Sequence, residues 1–263
     1  MPQIIKMIEQ HVRLIPAEVR QKLKERGVIR TALYLALLPR DILQKYARSV
    51  KNNRGAAVSD AFDIEHSVET SVRVHVTDLR IKSTNWIHAE PYFATPSGLL
   101  TEALAPAISR LEGLTFIDLG SGKGRVVLMA SEFPFRKIIG VEFSTELDAA
   151  ARRNVEAYRS GTQKCRNIAL SCMDFTKFQF PIEPFVVFLY NPAKERVIRT
   201  VAQNLMRSLR EHPREIWIVY VTPYEIFDAE TALEKVKTGT FADHPYSVYR
   251  ARDGMLNKHL PQY

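Results

Sequence analysis

The chain has 263 residues, 46% of them hydrophobic and 10% aromatic, with a formal net charge of +8. That is enough for one good-sized α/β domain with a real core and an appendage. Two cysteines, Cys165 and Cys172, exclude a disulfide framework and a zinc spacing; both are expected as buried thiols in a reducing compartment. The N-terminus shows no signal pattern, and the longest apolar run, Ala32 to Leu38, is too short to span a bilayer. A soluble, cytoplasmic protein is expected.

The charge is concentrated at one end. Residues 1–54 carry 12 Lys/Arg against 4 Asp/Glu, and the remainder balances at 25 of each sign. This region reads as a basic helical extension. Ile5, Ile8, Val12 and Ile15 recur at helical spacing up to Pro16, and a basic helix follows from Ala17 to Arg26 with Gly27 as its stop. An apolar stretch from Val28 ends at Pro39, and Asp41 caps a short restart. Such an arm suits an acidic partner: a nucleic acid, an acidic protein or an anionic membrane surface. The competing reading is a solvated helical face. With only Tyr34 and Tyr46 as aromatics there, a stacking platform for single strands is not expected.

Residues 55–90 read as a linker or extended arm, in which Val72, Val74 and Val76 alternate with polar residues. From residue 91 to 263 the pattern is that of a domain. Thr95 and Pro96 are placed to open a helix whose face carries Leu99, Leu100, Ala103, Leu104, Ala107, Ile108 and Leu111, closed by Gly113. Strands are then predicted at Thr115–Leu119, Lys137–Glu142, near Asn167–Ser171, at Phe185–Tyr190 and at Ile216–Val221. Helices are predicted over Gly124–Phe133, Thr145–Tyr158 (with Thr145 and Asp148 as a capping box) and from Val197 to Leu209. Leu233–Phe241 and Tyr246–Arg250 flank Asp243-His244-Pro245 as a closing hairpin. Strands alternating with helices imply a mostly parallel sheet wound on both faces.

The first strand runs through Asp118 into Gly120, Ser121, Gly122, Lys123 and Gly124. Glycines at alternate positions let a ligand approach bare main chain. A Walker A loop requires Ser or Thr after the lysine, and Gly124 stands there; a dinucleotide turn requires G-x-G-x-x-G, and this one is G-x-G-x-G. Asp118 would repel a pyrophosphate and suits a cationic amino-acid group. S-adenosylmethionine (SAM) has that group and no phosphate. Glu142, ending the second strand, is placed to accept from both ribose hydroxyls, and Asp174 to meet the adenine amino group, with Phe143 and Phe175 flanking the ring.

With Asp118-Leu-Gly-Ser-Gly-Lys-Gly124, Gly140-Val-Glu142, Met173-Asp174 and Leu189-Tyr-Asn-Pro192 in order, the chain resembles the class I SAM-dependent methyltransferases over about residues 90–251. The resemblance implies a Rossmann-like, seven-stranded sheet and methyl transfer from SAM. Phe62-Asp63, Val68-Glu-Thr70 and Tyr92 with Thr95-Pro96 are similar to bacterial members of unassigned substrate. The Asp-Leu-Gly-Ser-Gly core also resembles the non-SET histone lysine methyltransferases, a likeness that the rest of the chain supports poorly.

Tyr92 and Thr95 are read as closing over the cofactor, with plain helix capping as the alternative for Thr95. Tyr190-Asn191-Pro192 resembles part of the [Asn/Asp]-Pro-Pro-aromatic motif of amino-group methyltransferases, which makes Asn191 and Tyr190 the catalytic candidates. Ala193 and Lys194 depart from that motif, so the reading in which Asn191-Pro192 only turns the chain stays open. The histidines are dispersed, and no metal is assigned. Two rival readings remain: a SAM-binding module without catalysis, and an NAD-type oxidoreductase.

Overall fold

The computed structural model describes residues 60–74, 92–190 and 192–252. The helices expected between residues 1 and 54, and Asn191, lie outside them. Seven strands form one sheet in the order β3-β2-β1-β4-β5-β7-β6. They are β1 (Thr115–Leu119), β2 (Lys137–Glu142), β3 (Ile168–Cys172), β4 (Phe185–Tyr190), β5 (Ile216–Val221), β6 (Leu233–Phe241) and β7 (His244–Ala251). The first five pair in parallel, and β7 runs antiparallel between β5 and β6. Parallel strands covered on both faces need apolar residues at every position. β5, Ile-Trp-Ile-Val-Tyr-Val, is buried throughout.

Two layers of helix supply that cover. On one face lie α2 (Leu99–Leu104) and α3 (Arg125–Ala130), packing Leu99, Leu100, Val127 and Leu128 on Phe116, Val186 and Phe188. On the other lies α5 (Glu195–Glu211), which buries Val197, Ile198, Val201, Leu205 and Leu209 at helical spacing. Each such side chain contributes about 1.5–3 kcal/mol by leaving water. α4 (Thr145–Ala157) packs beside β2 and β3.

Several boundaries differ from expectation for local reasons. α2 starts at Gly98, not Thr95: the glycine takes φ 92° with the Phe241 ring against it, and a Cβ there would sit 2.9 Å from that ring. At Ala105 the helix tightens into a 3₁₀ turn containing Pro106, which cannot continue the ordinary hydrogen-bond ladder. α3 ends at Ala130 because the Ser131 hydroxyl turns back to the Leu128 carbonyl at 2.6 Å, while the Ser131 carbonyl accepts from Lys164 and Cys165. Ser144, one residue before the expected cap, closes the N-terminus of α4 by accepting from the Leu147 N–H at 3.3 Å. Asp148 pairs instead with Arg152 at 2.8 Å. Cys165 is buried, but Cys172 is exposed at the end of β3. Within the segment read as linker, Ala61–His66 forms a helix, α1, with Phe62, Asp63 and His66 buried. Val74 makes an isolated bridge with Tyr92.

Among the described residues, no helix is long and apolar enough to cross a membrane.

Candidate functional site

The site forms where β1, β2 and β4 end. After Leu119 the chain folds back on β2, with the Gly120 and Ser121 N–H groups both donating to the Val141 carbonyl at 2.8 and 3.0 Å. Gly120 sits at φ 85° and Gly122 at φ 54°, in the left-handed region that glycine adopts without steric penalty. Close approaches demand the same residues: a Cβ on Gly120 would lie 2.7 Å from the Pro192 side chain, and one on Gly122 only 2.3 Å from the Tyr92 ring. Gly124, also left-handed, caps α3.

Asp118 lies one residue inside the end of β1, opposite Gly140 and Phe188. It is 3% exposed, and its Oδ2 has no hydrogen-bond partner among the described residues. Burial, reinforced by the nearby Glu142 charge, pushes its carboxyl up to about 8. Glu142, at the end of β2, is equally buried but engaged: its Oε2 accepts from the Gly122 N–H at 2.9 Å and its Oε1 from the Ser144 N–H at 2.8 Å. Burial raises it to about 7. An ionised carboxylate offers about four acceptor positions, so Glu142 braces the turn and retains capacity for further donors. A desolvated acid pair beside a glycine turn is a site in want of a cation. That chemistry fits the sulfonium nucleoside amino acid, with the orphaned Asp118 oxygen as the observation that carries the fit.

The remaining expected residues divide. Ser121 is buried within the turn, and Phe143 is half-buried beside Glu142. Asp174 opens a 3₁₀ turn, its Oδ1 accepting from the Thr176 N–H at 2.9 Å and hydroxyl at 2.7 Å. Phe175 is buried, in the same apolar cluster as Ile117, Leu119 and Val141. Thr95 is buried. Tyr92 lays its ring on Gly122 and donates its hydroxyl to the Thr70 carbonyl at 2.6 Å; burial raises that hydroxyl well above its ordinary range. At the end of β4, the Tyr190 hydroxyl lies 3.1 Å from His244 Nδ1, the rings meeting edge to face.

Three participants were not expected from sequence. Lys123, assigned no role there, is buried and ion-paired with Glu69. Arg125, 3% exposed, pairs with Asp60 Oδ2 at 2.7 Å. Asn154 donates to the Lys123 carbonyl at 2.9 Å, joining α4 to the turn. Only the Phe62-Asp63 and Val68-Glu-Thr70 pieces hinted at the partners of Arg125.

Strand order, glycine turn and paired acids are those expected of a Rossmann-like, SAM-dependent methyltransferase domain. The family model described as histone methylation protein DOT1 matches residues 99–193, from the first residue of α2 through the turn and past Pro192. The second likeness seen in sequence therefore extends well beyond the Asp-Leu-Gly-Ser-Gly core. Among solved structures, the RNA methyltransferase from Salinibacter ruber in complex with S-adenosyl-L-homocysteine is similar at 17% identity and a TM-score of 0.42, covering 60% of this chain and 94% of that one. A conserved hypothetical protein from Streptococcus pyogenes matches at 17% identity and TM-score 0.43, covering 60% and 96%. The 23S rRNA methyltransferase ErmE matches at 15% and 0.43, covering 62% and 70%. No curated protein sequence matches the chain.

Proposed function

We propose that the chain transfers the methyl group of SAM to an amino nitrogen of a protein substrate. The observation that carries this reading is the match to a histone methylation family across the glycine turn and on to Tyr190 and Pro192. Asp118, Glu142, Ser121 and the turn glycines hold the cofactor, with Asp174 and Phe143 toward the adenine end and Tyr92 and Thr95 closing over it. When bound, SAM supplies an electrophilic methyl carbon.

The chain's own task is alignment and proton control. A lysine-type amine is protonated at neutral pH and must lose that proton before it can attack. The Tyr190–His244 pair stands at the strand end beside Pro192, where open α/β sheets receive substrates. Burial raises the Tyr190 hydroxyl, so it stays protonated near neutrality. It can donate to His244 while accepting an N–H from the incoming amine. Asn191 is the second polar group proposed at the acceptor.

The basic residues 1–54 are proposed to meet an acidic surface, which would make association weaken steeply with added salt.

The test is incubation of the full chain with methyl-labelled SAM and fractionated lysate. Label is expected in protein and stable to the treatments that release methyl esters. Label confined to nucleic acid or small molecules would overturn the acceptor class, and SAM binding without transfer to any fraction would favour a non-catalytic module.

A further inference from the structure

Methyl-transfer chemistry gives no role to Phe62-Asp63 or to Val68-Glu-Thr70, yet these are among the best-anchored pieces of the structure. α1 ends at Ser67, a left-handed residue with φ 59°, and the chain doubles back on its own helix. The Asp63 carboxylate then accepts from the Thr70 N–H at 2.8 Å, the Thr70 hydroxyl at 2.5 Å and the Ser71 N–H at 2.7 Å. Both Asp63 and Thr70 are buried. From the far side Arg125, the first residue after the glycine turn, reaches the Thr70 hydroxyl and the Ser97 hydroxyl, each at 3.1 Å. Its guanidinium also lies 4.5 Å from the Phe62 ring centroid.

Glu69, between these contacts, is fixed twice over. Its N–H donates to the Asn154 side chain at 2.9 Å, its carbonyl accepts from the same amide at 3.0 Å, and its carboxylate pairs with Lys123. Segment and turn are therefore joined through Lys123, Arg125 and Asn154, the first within the glycine turn and the second directly after it. Among the described residues, these contacts lead on to Tyr92. The Thr70 carbonyl, held in place by all of the above, accepts the Tyr92 hydroxyl, and the Tyr92 ring rests on Gly122.

We propose that Asp63, Thr70 and Arg125 are positioning residues, forming a latch that holds Tyr92 over the glycine turn and sets how long SAM stays bound. This rests on the reading of that turn as the SAM site. The physical reason is pre-organisation. A ring already fixed over the turn has little freedom left to lose when the ligand enters, and its swinging aside to let the ligand out breaks a partly buried hydrogen bond. Differences of this kind appear mainly in the off-rate.

The test compares wild type, Thr70→Val, Thr70→Ser and Tyr92→Phe, reading SAM affinity and stopped-flow dissociation alongside thermal midpoints. Thr70→Val removes the hydroxyl that Asp63 and Arg125 share, and Tyr92→Phe cuts the last link while keeping the ring. Each is expected to weaken SAM by about tenfold, chiefly through faster release, as the loss of one hydrogen bond implies. Thr70→Ser is expected to restore wild-type release, which a role in folding alone would not require. Folded Thr70→Val and Tyr92→Phe proteins that release SAM at the wild-type rate would overturn the latch. If Thr70→Val does not fold, Tyr92→Phe decides. A wild type that takes up no SAM would instead refute the cofactor site, and the latch with it.

Discussion

Asp118→Asn is expected to make the ligand-free protein more stable in mildly alkaline solution while abolishing SAM binding. The Asp118 carboxyl is raised from 3.8 to about 8 by burial, with a contribution from Glu142. Between those values the folded state holds a proton that the unfolded chain has released. The stability associated with that proton is complete below about pH 4 and is lost as pH rises through 8. Glu142, raised from 4.5 to about 7, adds a slope of the same sign. Above pH 8 the folded wild type therefore carries a buried carboxylate with an unpaired oxygen, at a cost on the order of a few kcal/mol. Asparagine is nearly the same shape and never ionises. Thermal melts from pH 6 to 9 should show the wild-type midpoint falling and that of Asp118→Asn falling less, leaving the variant ahead by roughly 5 °C at pH 9. Parallel curves for the two proteins would mean that Asp118 is not the buried, strained acid described above. Such a group is kept against stability when a cation is its intended partner.

Arg125→Ala should have the opposite effect on the fold. Arg125 is 3% exposed and faces Asp60, Asp63, Thr70 and Ser97. Its removal leaves Asp63, itself 2% exposed, without its cation and opens space beside Phe62. Removing one partner from a buried pair typically costs about 3–5 kcal/mol, far more than the intact pair contributes over an apolar substitute. For a domain of this size that corresponds to a midpoint lower by about 6–20 °C. Urea denaturation at pH 7 measures it directly. A loss under about 1 kcal/mol, the range of exposed ion pairs, would show that the Arg125 contacts are incidental to the fold.

Much of this domain could be read from sequence because its signals are local. β4 and β5 are apolar at every position, and β1 breaks into three alternating glycines, so those strands and the turn fall where the pattern puts them. Asp118 and Glu142 stand out for the same reason, as acids at the ends of apolar strands. What escaped was long-range or decided by close competitors. Arg125 looks like an ordinary first helical residue until Asp60 and Thr70, more than 50 positions earlier, fold onto it. α1 has only six residues, too few to show a periodic face. Ser144 and Thr145 are neighbouring caps of similar strength, and the chain chose the one whose N–H Glu142 also holds.

The most direct test of the whole account is isothermal titration of the full chain with SAM, alongside NAD as a control. The orphaned Asp118 oxygen, the braced Glu142 and the left-handed glycines predict one SAM per chain with micromolar affinity, no heat with NAD, and no SAM binding by Asp118→Asn. A wild type that gives no heat with SAM, or an Asp118→Asn protein that binds it as tightly as wild type, would contradict the account.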